Sequence, residues 1–220
     1  MQNIKDIIHN PYCDNRFVNL MDISSVEVIF EVGMYDGLYT QKIIETFENC
    51  KKLFGFECNP DRVEVCKGNI KNLTNVIFNN VALNNDNSKL KFYPCRRGRQ
   101  AASSLYRLTD QSDKQDMVIV DGITLDTYCH QNNISRIDLI CLDVEGAEMR
   151  VLLGGEKMLL STKYIIAEVS NVDRYIEKIP LREEVRGFLY KKGFEEKFYY
   201  GSHIENGDPF GDALYVNKFL

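Results

Sequence analysis

Apolar and polar positions along the chain fall into short runs that switch between a two-residue and a three-to-four-residue repeat. Residues 26–32 are rich in β-branched side chains and stop at Gly33, the pattern of a strand running into a turn. Stretches 52–57, 76–78, 117–120, 137–142 and 164–168 read as further strands. In 89–93, Leu90 and Phe92 alternate with polar neighbours, which predicts an added strand or hairpin arm. Helical spacing lies between them. Ile43, Ile44 and Phe47 share one side, Val63, Cys66 and Ile70 sit at i, i+3 and i+7, and Leu181, Val185, Phe188 and Leu189 give 181–192 an apolar face that ends at Gly193. The last strands, 194–200 and 212–219, flank the turn-rich stretch 201–209 and predict an antiparallel hairpin. Such alternation specifies an α/β fold: a Rossmann-like, doubly wound, mostly parallel sheet that ends in the hairpin. Residues 1–25 are polar and mixed, contain Pro11 and read as a lid or leader, which leaves 26–220 as one domain.

The chemistry gathers where strands hand over to helices. The run 137–142 is almost wholly apolar, as in a strand buried on both faces, and then breaks into Asp143, Glu145 and Glu148 around Gly146. In an open α/β sheet, ligands bind in the crevice outside that edge. Glu148, in a first helical turn, has the simpler task of complementing the helix dipole. At the end of the first strand, Gly33 and Gly37 mark a tight turn that lets backbone approach a ligand over a helix N-terminus. Glu57 ends the second strand 20 residues after Gly37, the interval at which an acidic residue accepts from ribose hydroxyls. The small Ala82 suits a surface pressed by a flat base. The long polar connection 94–116 carries Arg96, Arg97 and Arg99, which read as a solvated loop first and as an anion holder second.

Composition narrows the class. A formal net charge of −5 argues against a general nucleic-acid binder, and no stretch approaches the roughly 20 apolar residues of a membrane span. With no apolar leader followed by a cleavage site, a cytoplasmic protein is expected. The seven cysteines form no C-x-x-C pair and no zinc spacing with histidine; Cys66 and Cys141, on apolar faces, read as small buried hydrophobes.

Glu31-Val-Gly-Met-Tyr-Asp-Gly37, Phe54-Gly-Phe-Glu-Cys-Asn-Pro60, Thr124-Leu-Asp126 and, most diagnostically, Leu142-Asp-Val-Glu-Gly-Ala-Glu148 resemble the successive motifs of the FkbM family of S-adenosylmethionine-dependent methyltransferases. The resemblance runs over 26–217. It departs at Met34, where a small residue is usual and where bulk would crowd the cofactor's methionine end, and at Cys58, where proline is frequent. It implies a class I methyltransferase sheet holding S-adenosylmethionine across its carboxyl edge. Gly33, Tyr35 and Gly37 would lie under the methionine and ribose, Glu57 on the ribose hydroxyls, Asn80 and Ala82 beside the adenine, and Glu31 and Asp143 near the cationic end. The implied reaction is O-methylation of a hydroxyl on a sugar, glycan or small natural product. Asp143 is the first choice of base and Glu145 the second, with His203 an outside candidate. Glu168 would orient substrate or share an oxygen-preferring cation with Asp143, although no metal is called for. Two alternatives stand beside it: an NAD(P)-binding oxidoreductase of Rossmann type, and a module that binds S-adenosylmethionine without turnover.

Overall fold

The computed structural model describes residues 10–95, 100–109, 116–201 and 209–220. Arg96, Arg97, Arg99 and His203 lie outside the described residues. Within them the strands are β1 (Val28–Val32), β2 (Lys52–Phe56), β3 (Val76–Asn79), β4 (Ala82–Leu83), β5 (Lys89–Phe92), β6 (Val118–Ile123), β7 (Ile137–Leu142), β8 (Thr162–Ser170), β9 (Phe194–Gly201) and β10 (Phe210–Asn217). The helices are α1 (Asn15–Val18), α2 (Leu38–Thr46), α3 (Val63–Ile70), α4 (Leu125–Gln131), α5 (Glu148–Leu153) and α6 (Arg182–Lys191).

Seven strands form one sheet in the order β3-β2-β1-β7-β8-β10-β9. All pairings are parallel except those of β10, which runs antiparallel to both neighbours, so the predicted terminal hairpin is present. After β1 the chain builds outward through β2 and β3, then returns to the other side of β1 as β7. That reversal opens a crevice beyond the carboxyl ends of β1 and β7, the switch point where doubly wound sheets bind ligands. The strands predicted around 89–93 and 117–120 do not join this sheet. They pair as β5 and β6, with β4, in a small three-stranded sheet that closes over a satellite core of Ala82, Leu90, Phe92 and Val120.

Period-two alternation divides the central strands between two cores. Phe30 and Val32 of β1 face a cluster with Phe56, Leu142, Leu125 of α4, Val151 of α5 and Leu189 of α6. Ile29, with Leu139 and Cys141 of β7, faces the opposite cluster. There the structure departs from the lid predicted for 1–25. Tyr12, Phe17, Val18 and Met21 are buried in this second core, so the described part of the segment covers one face of the sheet. Its mixed polarity reflects how short the pieces are: a single turn at Pro11–Cys13 capped by Asn10, and the four-residue α1 capped by Asp14, each turning few side chains inward. Phe17 is fully buried and its ring meets that of Phe198 edge to face at 5.2 Å. Truncating a buried phenylalanine to alanine costs about 3–5 kcal/mol. Phe17→Ala is expected to lower unfolding free energy by that amount in urea titrations; an unchanged midpoint would mean that residues 10–25 are an appendage.

Candidate active site

The site begins with a backbone crossing. Gly33 follows β1 with φ +91°, a conformation that side chains disfavour, and a Cβ built on it would lie 1.7 Å from the carbonyl oxygen of Asp143. The Asp143 amide in turn donates to the Val32 carbonyl at 2.9 Å. Gly33 is thus required by the approach of the Asp143 backbone, and the two turns close on each other at the switch point. Beyond it, Tyr35 takes a left-handed conformation at φ 55°, which costs a non-glycine residue of order 1–3 kcal/mol. That twist delivers its amide to Glu57 Oε2 at 2.8 Å, while the Asn59 amide donates to Oε1 at 2.7 Å.

A cavity of about 350 Å³ opens over this crossing, at the lower end of the ~300–1,000 Å³ range of ligand pockets. Gly33, Tyr35, Glu57, Ala82, Asp143 and Glu145 line it, so six of the nine residues expected to bind the cofactor or to serve as first or second choice of base meet around one space. Val81, Leu83, Phe92 and Leu105 supply apolar wall. The remaining three, Glu31, Gly37 and Asn80, are not among the lining residues. Glu31 is buried and accepts from Thr40 Oγ1 at 2.7 Å; Gly37 faces Ile70 and Cys66 of α3; Asn80 holds the Glu57 carbonyl through its side-chain amide at 2.8 Å. Met34 does line the cavity, but the bulk expected to crowd it is absorbed elsewhere. Its thioether packs over Gly55 of β2, where a Cβ would come within 2.1 Å of the sulfur.

Strand register explains the electrostatics. Glu31 pairs with Cys141, Cys141 with Ile166, and Glu168 with Asp212, which sets Glu31, Asp143, Glu168 and Asp212 on one face along the carboxyl edge. Burial raises every one of these carboxyls, Glu31 to about 8 and Asp212 to about 7. Carboxylate oxygens of Asp143 and Glu168 lie within 4.8 Å of each other, and hydrogen bonding between the two acids bears on their protonation. Burial raises Asp143 while this bond draws it back, whereas Glu168 is pushed well up by burial and by the charge of Asp143, so Glu168 is the better keeper of a shared proton. Glu57 rises to about 7 through burial, opposed by its two amide donors. Glu145, also at about 7 through burial, is in the left-handed region and is engaged by Arg174 at 3.0 Å and by the Tyr175 hydroxyl at 3.1 Å. Glu148 turns back to accept from the Gly146 amide at 3.1 Å, a capping task like the one its position suggests. Carboxylate oxygens of Asp143, Glu145 and Glu168 lie within 4.8 Å of one another, close enough to share one oxygen-coordinated cation. Arg174, Tyr175 and Tyr12 carry no periodic or motif signal and are placed here only by tertiary structure.

The sequence between Glu31 and Glu196 matches the model of the methyltransferase FkbM domain. The chain belongs to the FkbM methyltransferase family. It is 28% identical over 166 residues to a protein of Sinorhizobium fredii (strain NBRC 101917 / NGR234) described as 2-O-methyltransferase NoeI, over 70% of this chain and 68% of that one. Its fold is similar to the crystal structure of a methyltransferase FkbM from Methylobacillus flagellatus KT, with a TM-score of 0.62 and 12% identity over 94% of this chain. The chain spans only 48% of that protein's length. It is similar also to magnesium protoporphyrin IX methyltransferase from Synechocystis PCC 6803, solved with bound S-adenosylmethionine, with a TM-score of 0.51, 10% identity and coverage of 92% and 75%. S-adenosylmethionine is the cofactor of this family and fold, and the oxidoreductase alternative is not favoured. The lining suits that cofactor. Glu57 uses one lone pair of each oxygen on a backbone amide, which would leave others for two hydroxyls; Ala82 is small enough for a flat base to fit against, and the sign of the carboxylate edge would suit a cation. Among the described residues no helix is long and apolar enough to cross a membrane.

The buried carboxyls make stability depend on pH. Glu31 and Glu148 are each raised from 4.5 to about 8, so the stability they contribute in protonated form is complete below about 4.5 and is lost as pH rises through about 8. The thermal midpoint of the wild-type protein is expected to fall between pH 6 and pH 9, and to fall less in Glu31→Gln. A midpoint that climbs over that range would contradict the assignment of these groups.

Proposed function

We propose that the protein is an S-adenosylmethionine-dependent O-methyltransferase whose acceptor is a hydroxyl on a sugar, glycan or small natural product. The observation that carries the reading is the placement of Asp143, a carboxylate on the wall of the cavity and beside a second acid, Glu168. The description of the Sinorhizobium relative as a 2-O-methyltransferase supports oxygen as the acceptor atom. Bound S-adenosylmethionine supplies an electrophilic methyl group on a sulfonium cation.

The chain's own groups then divide the work. Glu57, Tyr35 and Ala82 hold the nucleoside end, which fixes where the methyl group lies; alignment of reactants is worth roughly 7–11 kcal/mol in oriented systems. Asp143 accepts the proton of the acceptor hydroxyl, and Glu168 holds the Asp143 carboxylate in place through their shared hydrogen bond. Glu145 is less available for that task because Arg174 and Tyr175 already occupy it. Residues 103–109 and 174–177 cover this edge. Ser104 donates to the Glu145 carbonyl at 2.6 Å, the Arg107 side chain pairs with Glu177 at 2.7 Å, and the Ile176 amide donates to the Arg107 carbonyl at 2.7 Å. Together they tie the two segments to each other and to the turn that carries Glu145.

The test is transfer of labelled methyl from S-adenosylmethionine to a panel of sugars, glycans and small alcohols, repeated with Asp143→Asn. Label is expected on oxygen, with kcat reduced about 10²–10⁴-fold in the variant, the usual range for loss of a positioned base, and cofactor affinity changed far less. Full turnover in Asp143→Asn, or label on nitrogen, would contradict the proposal.

A further inference from the structure

Arg62 lines the cavity, and its buried Nε donates to no acceptor among the described residues. The turn that carries it is tightly specified. Pro60–Arg62 is a single 3-10 turn capped by the Asn59 side chain, which accepts from the Asp61 amide at 3.1 Å, and the Arg62 amide donates to the Asn59 carbonyl at 3.0 Å. The Asn59 amide in turn donates to Glu57 Oε1 at 2.7 Å. One short turn therefore holds the Glu57 carboxylate and presents the guanidinium. Arg62 Cζ lies over the Tyr35 ring at 4.8 Å, within reach of a cation–π contact, and the Tyr35 amide holds the other Glu57 oxygen.

A buried donor without an acceptor is costly, and one on a cavity wall is matched when a ligand arrives. The ligand group that fits is a hydroxyl. Bound by a carboxylate, a hydroxyl gives up its proton to the hydrogen bond and keeps lone pairs on its oxygen, which only a donor can use. Glu57 is an acceptor and Arg62, with five N–H groups and no acceptor, is a donor, and both line the same cavity. Resting on the reading that Glu57 takes the ribose hydroxyls of S-adenosylmethionine, we propose that Arg62 is a second ribose-binding residue, its guanidinium donating to a hydroxyl oxygen whose proton Glu57 accepts. The charge of Arg62 also acts on Glu57, where burial and the charge of Asp143 raise the carboxyl and Arg62 draws it back toward the ionised acceptor.

The test needs no methyl acceptor. Displacement calorimetry compares S-adenosylhomocysteine with its analogue lacking both ribose hydroxyls, on wild-type protein, Arg62→Met and Arg62→Lys. Methionine keeps the cover over Tyr35 without a donor, and lysine keeps the charge without the Nε–H. Arg62→Met is expected to bind S-adenosylhomocysteine about 10- to 100-fold more weakly, the range for a hydrogen bond to a charged group, and the analogue within about twofold of wild type. Arg62→Lys should remain weaker than wild type for S-adenosylhomocysteine alone. Unchanged S-adenosylhomocysteine affinity in Arg62→Met would overturn the inference, as would equal weakening of both ligands, which marks a structural role. Full wild-type affinity in Arg62→Lys would reduce the residue to a counter-charge for Glu57 and overturn it too. Wild-type protein that binds the two ligands equally would take the ribose away from Glu57, and this inference with it, but leave the cofactor in place; protein that binds neither would remove the cofactor reading as well.

Discussion

The contact between Gly33 and the Asp143 carbonyl is the constraint on which the site depends. Two strands from opposite sides of the topological reversal end side by side, and each is followed by a turn that would collide with the other if position 33 carried a side chain. Once the turns cross, much else is fixed. The Val32 carbonyl takes the Asp143 amide, Tyr35 is driven into a left-handed conformation, and its amide meets Glu57 at the end of the adjacent strand. The residues proposed to hold a nucleoside and the carboxylate proposed as the base are thereby placed on one edge of the sheet, not on independent loops.

That edge stores electrostatic tension. Glu31, Asp143, Glu168 and Asp212 come from four neighbouring strands and reach the same face in a partly desolvated setting, where like charges repel more strongly than in water. Burial favours the protonated form of these carboxyls, raising Glu31 to about 8 and Asp212 to about 7, and Glu168 is pushed up by burial and by the charge of Asp143. A ligand with a positive centre relieves it differently, by making ionisation cheaper where it docks. The same edge that is costly in the free protein is suited to a sulfonium-bearing cofactor, and ionisation of Asp143 is what a base beside the acceptor requires.

Most of the sheet was legible because its strands are either apolar throughout, as in Ile137–Leu142, or bounded by glycine turns and acidic ends. The acidic and glycine positions of the motifs were legible for the same reason: they interrupt apolar runs. What escaped was set by tertiary geometry. Residues 10–25 bury Tyr12 and Phe17 from pieces too short to show a period. The small sheet of β4, β6 and β5 pairs strands whose separate membership no local pattern encodes. Glu31 reads as a strand end facing a ligand, yet its register turns it toward Thr40 of α2. Arg174 and Tyr175 reach Glu145 from an irregular stretch, and their partnership appears only when the chain closes over the edge.

The most direct test of the central claim, that the crossing of Gly33 and Asp143 builds an S-adenosylmethionine site, is isothermal titration of the wild-type protein with S-adenosylmethionine and, separately, with NAD⁺. Saturable binding of the first at one site per chain, with no heat from the second, is the result this account predicts. Binding of NAD⁺ with none of S-adenosylmethionine would contradict it and would turn the glycine crossing into a dinucleotide site.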